Sequence, residues 1–354
     1  LCNLCILCVS VVDELRVKPH HRDTEDTEVA QRRGRMKKIL ITGGGGFIGS
    51  ALLKHLARDH SCLCFGHGRN YAELRASIGG DVEFIEGDLS DAKLLSEMVG
   101  ASQAVIHVAG SGGEVPCLSD PVTAVLTHVQ GTHRLLQEVM RHGIESFIFA
   151  STIAVYGTYK ARPMPLKEDM EPRPDDFYAA LKATAEQLLI DAGHAQILRL
   201  ANVYGYGTGL HLRSSGVIGR FVEAALNDES LQIYGDGSQS IDYVHIDDVC
   251  TAFEAALKRP GEQFVYNISG GQPATIKTLA ELTVRLAAEF KHPPEVIYAE
   301  APPNKIWPDR WLSIAKAEAE LGWSPRVGLQ AGIHELLEHS SPRASLSKSE
   351  GASV

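Results

Sequence analysis

The sequence predicts an α/β fold, a doubly wound parallel sheet of the Rossmann-like kind followed by a smaller C-terminal α/β lobe. Three observations carry this. From Met36 onward, short apolar runs alternate with helical patterns. The runs are apolar throughout rather than at every second residue, as strands buried on both faces require. Four consecutive glycines, Gly43 to Gly46, close the first run and lead into the first helical pattern. Strand and helix in strict alternation imply crossover connections, and hence parallel pairing with helices on both faces.

Taken in order, the strands are KKILIT, SCLCFG, VEFIEG, AVIHVA, SFIFAS and AQILRL, and the helices between them include SALLKHLARD, DAKLLSEMV and THRLLQEVMRHG. This dinucleotide-binding domain spans residues 36–200, with parts of the chain to about 270 returning to it. Residues 201–340 form mainly a substrate lobe, mixed in pattern, with RFVEAAL, LQIYG, DDVCTAFEAALKR, FVYNIS, TIKTLAELTVRLAAEF and AKAEAELGW as its elements. The polar tail 341–354 reads as disordered.

Residues 1–35 break the pattern and read as a non-native or disordered leader, with Met36 as the natural start. Cys2, Cys5 and Cys8 have the spacing of an iron–sulfur run, but Val12 stands where the fourth ligand would be. No metal is expected. The remaining cysteines, Cys62, Cys64, Cys117 and Cys250, are scattered singly, which suits thiols in a reducing compartment and a cytoplasmic protein.

The 354 residues are 44% hydrophobic and 22% charged, enough for a large buried core. A net charge of −10 argues against a nucleic-acid partner. No apolar stretch reaches the roughly 18 residues of a membrane span. A small-molecule partner is the remaining expectation.

Gly43, Gly46 and Gly49 form G-x-x-G-x-x-G between a strand and a helix, with Phe47 and Ile48 inside the motif. Glycine there lets the chain turn tightly and lets a pyrophosphate approach backbone N–H groups at a helix N-terminus. Two further strand ends fit the same dinucleotide. Asp88 and Leu89 follow the third strand, where a carboxylate and an apolar wall meet an adenine; Val108, Ala109 and Gly110 follow the fourth. The second strand ends in CFGHGRN, without the acidic residue that usually holds the ribose 2′-hydroxyl. His67 and Arg69 stand there instead, and an arginine suits a 2′-phosphate, so the cofactor is NAD or NADP.

Tyr178 and Lys182 fall at i and i+4 of the helical pattern DDFYAALKATAEQLL, on one face. A cation about 4 Å from the phenol, at an effective dielectric near 20, contributes about 4 kcal/mol, enough to lower its pKa by about three and make it a base near neutrality. The same spacing recurs at Tyr156 and Lys160, but VYGTYKARP passes through a glycine turn, so those residues need not share a face. Ser151 and Thr152 end the fifth strand, and a hydroxyl from Thr152 can hold a substrate alcohol against the tyrosine.

The set TGGGGFIG, GDLSD, VIHVAG, FIFASTIAVYG, FYAALKATAE, RLANVYGYG, IYGDGSQSIDYVHIDDV, VYNISGG and AELGWSP, in this order, resembles the extended short-chain dehydrogenase/reductases. It is most similar to the NAD-dependent epimerase/dehydratase family, in the branch like UDP-glucose 4-epimerase. The resemblance covers about Met36 to Leu337. It implies Tyr178 as catalytic base, Lys182 as its partner and a ribose ligand, Thr152 as the third member, and Asn202 as a substrate contact. It also implies oxidation of a sugar C4 hydroxyl, rotation of the ketone and hydride return, and a homodimer built on THVQGTHRLLQEVMRHG and FYAALKATAEQLLIDAG.

Departures from the family pattern matter. Dehydratases carry an acidic pair after the catalytic hydroxyl, where this chain has Ile153 and Ala154. Ile241 replaces the usual arginine of the nucleotide-sugar site, and no arginine stands near Ala301. Arg220 first, then Arg310, with Arg213 also in view, are the candidates to take over. An epimerase is the leading expectation, an NAD(P)H-dependent reductase of another carbonyl the second, and a non-catalytic dinucleotide-sensing protein the third.

Overall fold

The computed structural model describes residues 38–157, 162–207, 216–300 and 309–340. Seven parallel strands form the main sheet: β1 (Lys38–Thr42), β2 (Cys62–Gly66), β3 (Val82–Glu86), β4 (Ser102–His107), β5 (Ser146–Thr152), β6 (Gln196–Leu200) and, late in the chain, β11 (Phe264–Ile268). They lie in the order β11-β6-β5-β4-β1-β2-β3. The order reverses between β1 and β4, which pair from Lys38 with Ser102 to Thr42 with His107. A crevice opens beyond the carboxyl ends of the strands at such a point.

Side chains of each strand divide between two apolar layers. Ile39 and Ile41 of β1 enter one layer, with Leu52 and Leu53 of α1 (Phe47–Leu56). Leu40 enters the other, with Leu95 and Val99 of α3 (Ala92–Gly100), Leu135, Leu136 and Val139 of α6 (Thr132–His142), and Leu189 of α7 (Phe177–Ala192). The short helix α2 (Tyr71–Ser77) joins the first layer through Tyr71 and Leu74. The period of two along each strand forces this division, and it explains why both faces must be apolar.

Two short helices, α4 (Glu114–Ser119) and α5 (Pro121–Val125), lie between β4 and α6, a stretch for which the sequence pattern names no element. Pro116 and Pro121 hide them from a periodicity reading. Pro121 sits in the first turn of α5, where its missing N–H costs nothing, and the Asp120 carboxylate accepts from Thr123 N at 3.1 Å. A π-helical turn, Leu126–Gly131, joins α5 to α6.

Beyond β6 the chain alternates between two bodies of core. Strand β7 (Asn202–Tyr204) pairs with β10 (Tyr243–His245). Helix α8 (Val217–Leu226), strands β8 (Leu231–Tyr234) and β13 (Val296–Ala299), α10 (Ile276–Ala287) and α11 (Leu329–Ser340) surround a third core that includes Phe221, Ile233, Leu279 and Leu336. Helix α9 (Ile246–Leu257) instead packs Val249 and Phe253 into the layer shared with α1, and β11 completes the main sheet. The late segment AELGW returns there too: buried Trp323 donates to Asp248 O at 3.1 Å and Thr251 Oγ1 at 3.0 Å. The small strands β9 (Ser240–Ile241) and β12 (Ala274–Thr275) pair antiparallel.

A buried polar network ties α7 to the sheet. Arg199 on β6 donates through Nε and Nη2 to both Glu186 carboxylate oxygens, at 2.7–3.1 Å. Arg199 Nη1 reaches Tyr156 Oη at 2.9 Å, Tyr156 donates to Asn267 Oδ1 at 2.8 Å, and Ser151 donates to Glu186. This gives Tyr156 a structural place; Lys160 lies outside the described residues. Tyr156→Phe leaves Asn267 and Arg199 each short of a partner, and we expect a loss of about 1–3 kcal/mol in urea unfolding with turnover within a few-fold of wild type.

Candidate active site

The glycine loop between β1 and α1 is shaped by close contacts on one side and left bare on the other. Gly43 has φ 73°, and a Cβ on it would lie 2.7 Å from Ala109 Cα; a Cβ on Gly49 would lie 2.2 Å from Gly43 O. Those two positions hold the loop against its neighbours. Gly46 is different: a Cβ there would meet only Gly43 O, at 3.2 Å. It is the N-cap of α1 and no side chain caps the helix, so first-turn N–H donors, including those of Phe47 and Ile48, remain for an anion.

The other strand ends gather around this loop. The turn after β2 is stitched to it by Asn70 Nδ2 donating to Gly45 O at 3.3 Å. The same turn carries exposed His67 and Arg69. His67 Nε2 lies 3.7 Å from the Asp88 carboxylate, whose Oδ1 accepts from Ser90 N at 2.7 Å. Hydrogen bonds from Ser90 hold that carboxyl below its ordinary pKa. Leu89 is buried, and Val108, Ala109 and Gly110 follow β4 beside Gly43. Donors, a carboxylate, an apolar wall and a bare backbone around one crevice fit a dinucleotide.

Thr152 ends β5 and begins a 3₁₀ turn, Ile153–Tyr156; its Oγ1 accepts from Ala154 N at 3.2 Å. Asp176 caps α7 by accepting from Ala179 N at 2.7 Å, which fixes the first turn and with it Tyr178. The Thr152 hydroxyl lies near enough to the Tyr178 phenol to lower its pKa. Lys182, one turn on, is buried, donates to Ala150 O at 2.8 Å and lies 4.6 Å from the Phe149 ring centroid. Thr152, Tyr178 and Lys182 thus converge beside the cofactor crevice. Ser151 points into the buried network instead.

One electrostatic expectation is corrected. Burial drives the Tyr178 phenol above its ordinary pKa, and the Thr152 hydroxyl pulls against it; Lys182 is not among the groups that offset the rise. The physical reason is that low dielectric penalises every charge at this spot. Burial likewise lowers Lys182 to about 8, while Glu186 and Cys117 oppose the fall. A phenolate here needs more positive charge than one lysine supplies.

His128 is a neighbour that the sequence reading missed. Its ring meets the Tyr178 ring edge-on with centroids 5.8 Å apart, and Nε2 approaches Ser111 O at 3.2 Å. Burial, then the Lys182 charge, lower its pKa to about 3, so it stays neutral. A Cβ on Gly110, which has φ 138°, would lie 2.3 Å from that ring. The signal available in the sequence was a histidine in the helix following a strand-end glycine, too common a feature to single out.

On the substrate side, Asn202 Nδ2 donates to Asp242 O at 2.8 Å. Arg220 lies on the exposed face of α8. Arg310 forms a bridge with Ile241 and donates its N–H to Ser240 O at 2.9 Å. Arg213 and Ala301 lie outside the described residues.

Sheet order, glycine cradle and the Thr–Tyr–Lys convergence define an enzyme of the extended short-chain dehydrogenase/reductase architecture. Residues 39–269 match the NAD dependent epimerase/dehydratase family, and the chain belongs to that family. It is 30% identical over 346 residues to a dTDP-L-rhamnose 4-epimerase of Burkholderia thailandensis, with 85% of this chain and 94% of the relative covered. It is also 30% identical over 318 residues to a dTDP-glucose 4,6-dehydratase of Streptomyces antibioticus, covering 85% and 91%. The crystal structure of Thermus thermophilus UDP-glucose 4-epimerase in complex with NAD superposes with a TM-score of 0.73 at 30% identity, covering 85% of this chain and 98% of that one. The family is NAD-dependent, which agrees with the expected cofactor class.

Lys182 offers a test of this electrostatic reading. Its folded-state pKa lies below the unfolded value, so its charge destabilises the fold at and below about pH 8, and the penalty fades as pH rises towards 10.5. The depression corresponds to roughly 3 kcal/mol. We expect Lys182→Met to be inactive but, without cofactor, more stable than wild type at pH 7, with the difference shrinking between pH 8 and 10.5 in chemical denaturation.

Proposed function

We propose that the protein is an NAD(P)-dependent epimerase of a nucleotide sugar, working through a transient 4-keto sugar. The observation that carries this is the convergence of Thr152, at the end of β5, with Tyr178 and buried Lys182 of α7, with apolar, buried Ile153 and Ala154 following Thr152. Thr152 positions the substrate hydroxyl, and Tyr178 removes its proton as the C–H bond breaks. A nicotinamide dinucleotide bound there would supply the hydride acceptor and donor, with a positive charge in its oxidised form. Lys182 holds the ribose side and keeps a cation behind the phenol. Tyr178 gives the proton back when the ketone is reduced on its other face. A dehydratase needs further acid–base groups for loss of water, and Ile153 and Ala154 supply none, which favours epimerisation over the dehydration named for one relative.

In the glycine cradle, Gly46, Phe47 and Ile48 hold the pyrophosphate, Asp88 and Leu89 the adenine, and Val108 to Gly110 the neighbouring ribose and phosphate. The substrate side falls to Asn202 with Arg220 and Arg310. Ile241, in place of an arginine, is the observation that favours a second reading, an NAD(P)H-dependent reductase of a carbonyl without a nucleotide.

Purified protein should release tightly bound NAD(H) on denaturation and convert a UDP- or dTDP-sugar to its 4-epimer without net consumption of cofactor. Tyr178→Phe should lower kcat by about 10²–10⁴-fold with cofactor retained. Stoichiometric oxidation of added NADPH would instead establish the reductase.

The protein also reads as a homodimer. Val115 and Leu118 of α4, Val122 and Val125 of α5 and Leu126 beyond it form a run of exposed apolar side chains, with Met140 of α6 and Ile190 of α7 also outward. A second copy hides such a surface. Light scattering should give twice the 38.4 kDa of one chain; a monomer mass at micromolar concentration would refute pairing. Four buried free thiols suit a reducing compartment, the cytoplasm. Among the described residues no helix is long and apolar enough to cross a membrane.

A further inference from the structure

We propose that His128 is a positioning residue for the catalytic tyrosine, its ring held against Tyr178 by a buried hydrogen-bond chain that starts beside the glycine loop. The inference rests on the reading of Tyr178 as the base and adds the residue that sets where that base stands.

Tyr178 is the second residue of α7, in a first turn whose backbone is fixed by the Asp176 cap. A cap orders the backbone and leaves the ring to its neighbours. His128 supplies such a neighbour, meeting the Tyr178 ring edge-on with centroids 5.8 Å apart. The imidazole is itself boxed in. A Cβ on Gly110 would lie 2.3 Å from His128 Cε1, Ser111 O stands 3.2 Å from Nε2, and Cys117 Sγ lies 3.8 Å from the same nitrogen. A carbonyl only accepts, so Nε2 carries the proton and is committed to Ser111. His128 therefore acts on Tyr178 through packing rather than proton transfer.

The backbone under this ring is unusual. His128 lies on the π-helical turn Leu126–Gly131, a distortion often found at functional sites. Thr132 Oγ1 donates to His128 O at 2.6 Å, a bond back to the carbonyl four residues earlier of the kind that bends helices. With its proton so used, Thr132 Oγ1 accepts from His107 Nε2 at 2.9 Å. Burial keeps the His107 imidazole neutral, so its Nδ1 accepts from Thr42 Oγ1, 2.7 Å away. The donors thus run in one direction, from Thr42 to the His128 carbonyl.

The ends of this chain lie at the two halves of the site. Thr42 is the last residue of β1 and directly precedes Gly43, and His107 ends β4. The His107 ring packs on Phe149 with centroids 5.6 Å apart, and Lys182 Nζ stands 4.6 Å from the Phe149 centroid. One set of side chains therefore braces the start of the glycine loop, the ring beside Tyr178 and the ring under Lys182. Thr42, His107, His128 and Thr132 are each at most 2% exposed, so water does not compete for their bonds. Rigid support of this kind matters because a reacting group displaced by about 1 Å loses about 10²-fold in rate.

The test uses full-length, NAD-loaded protein with its tyrosines isotope-labelled at Cζ, as wild type, Tyr178→Phe, His128→Ala, His128→Phe and Thr132→Val. The NMR line missing from Tyr178→Phe belongs to Tyr178. We expect one narrow line in wild type, a broadened or split line in His128→Ala and Thr132→Val, and a single line again in His128→Phe, whose ring refills the space. With UDP-glucose, UDP-glucuronate and dTDP-glucose as probes, His128→Ala should lower kcat by about 10–10²-fold while KM and NAD(H) content stay near wild type. His128→Phe should recover most of that loss. A Tyr178 line as single and narrow in His128→Ala as in wild type overturns the positioning role, whether or not any of the three sugars is turned over. A loss confined to KM or to NAD(H) content overturns it too. Should the alanine protein not fold, His128→Gln, which keeps a donor for Ser111 O, is judged by the same criteria. Loss of turnover in Tyr178→Phe with wild-type kcat in His128→Ala overturns the role of His128 alone; turnover that survives Tyr178→Phe overturns the base as well.

Discussion

The bidentate pair between Arg199 on β6 and Glu186 on α7 is the contact on which the geometry of the catalytic side depends. It sits beside β6, next to the sheet edge formed by β11, with Ser151 of β5 and Tyr156 of the following turn bonded to its two ends. Both side chains are almost fully buried. An ion pair in that position contributes little net stability against an apolar alternative, yet removing one partner costs about 3–5 kcal/mol. Its effect is one of register. Glu186 lies one turn beyond Lys182 and two beyond Tyr178, so anchoring it to β5 and β6 sets the rotation of α7 above Thr152.

That anchoring also explains two otherwise competing Y-x-x-x-K spacings. Tyr156 is drawn into the pair's hydrogen-bond network and loses access to a substrate, whereas Tyr178 faces the crevice. Chemistry at Tyr178 then runs against its surroundings. Burial opposes phenolate and ammonium alike, so the site without cofactor favours neutral Tyr178 and weakens the charge on Lys182. A positive nicotinamide bound beside Tyr178 would oppose the penalty on the phenolate.

The substrate side shows a different logic. Where the family pattern has an arginine before an aspartate, Ile241 packs against the third core, and its backbone bridges to Arg310. The Asp242 carboxylate, buried and raised to about 6 mainly by desolvation, fastens the strand to Leu312 and Ser269 and so holds both segments together.

The sequence by itself determined the doubly wound sheet and the glycine cradle, because both are written locally. Runs such as KILIT and SFIFA have a strand's length and two-faced apolarity, and Gly43, Gly46 and Gly49 mark backbone positions where a Cβ has no room or would block a ligand. The shared face of Tyr178 and Lys182 was legible for the same reason, since i and i+4 on a strong helix lie side by side. Only the tertiary structure decided what depends on distant segments meeting. It placed Trp323 in the first core, well beyond the return to about residue 270 that the sequence suggested. It found α4 and α5 behind two prolines, and His128 against Tyr178. It set the pKa direction of Tyr178, because desolvation is a property of everything packed around a group rather than of its neighbour at i+4. It also brought Arg310 to Ile241, 69 positions earlier in the chain, through a backbone bridge that no periodicity encodes.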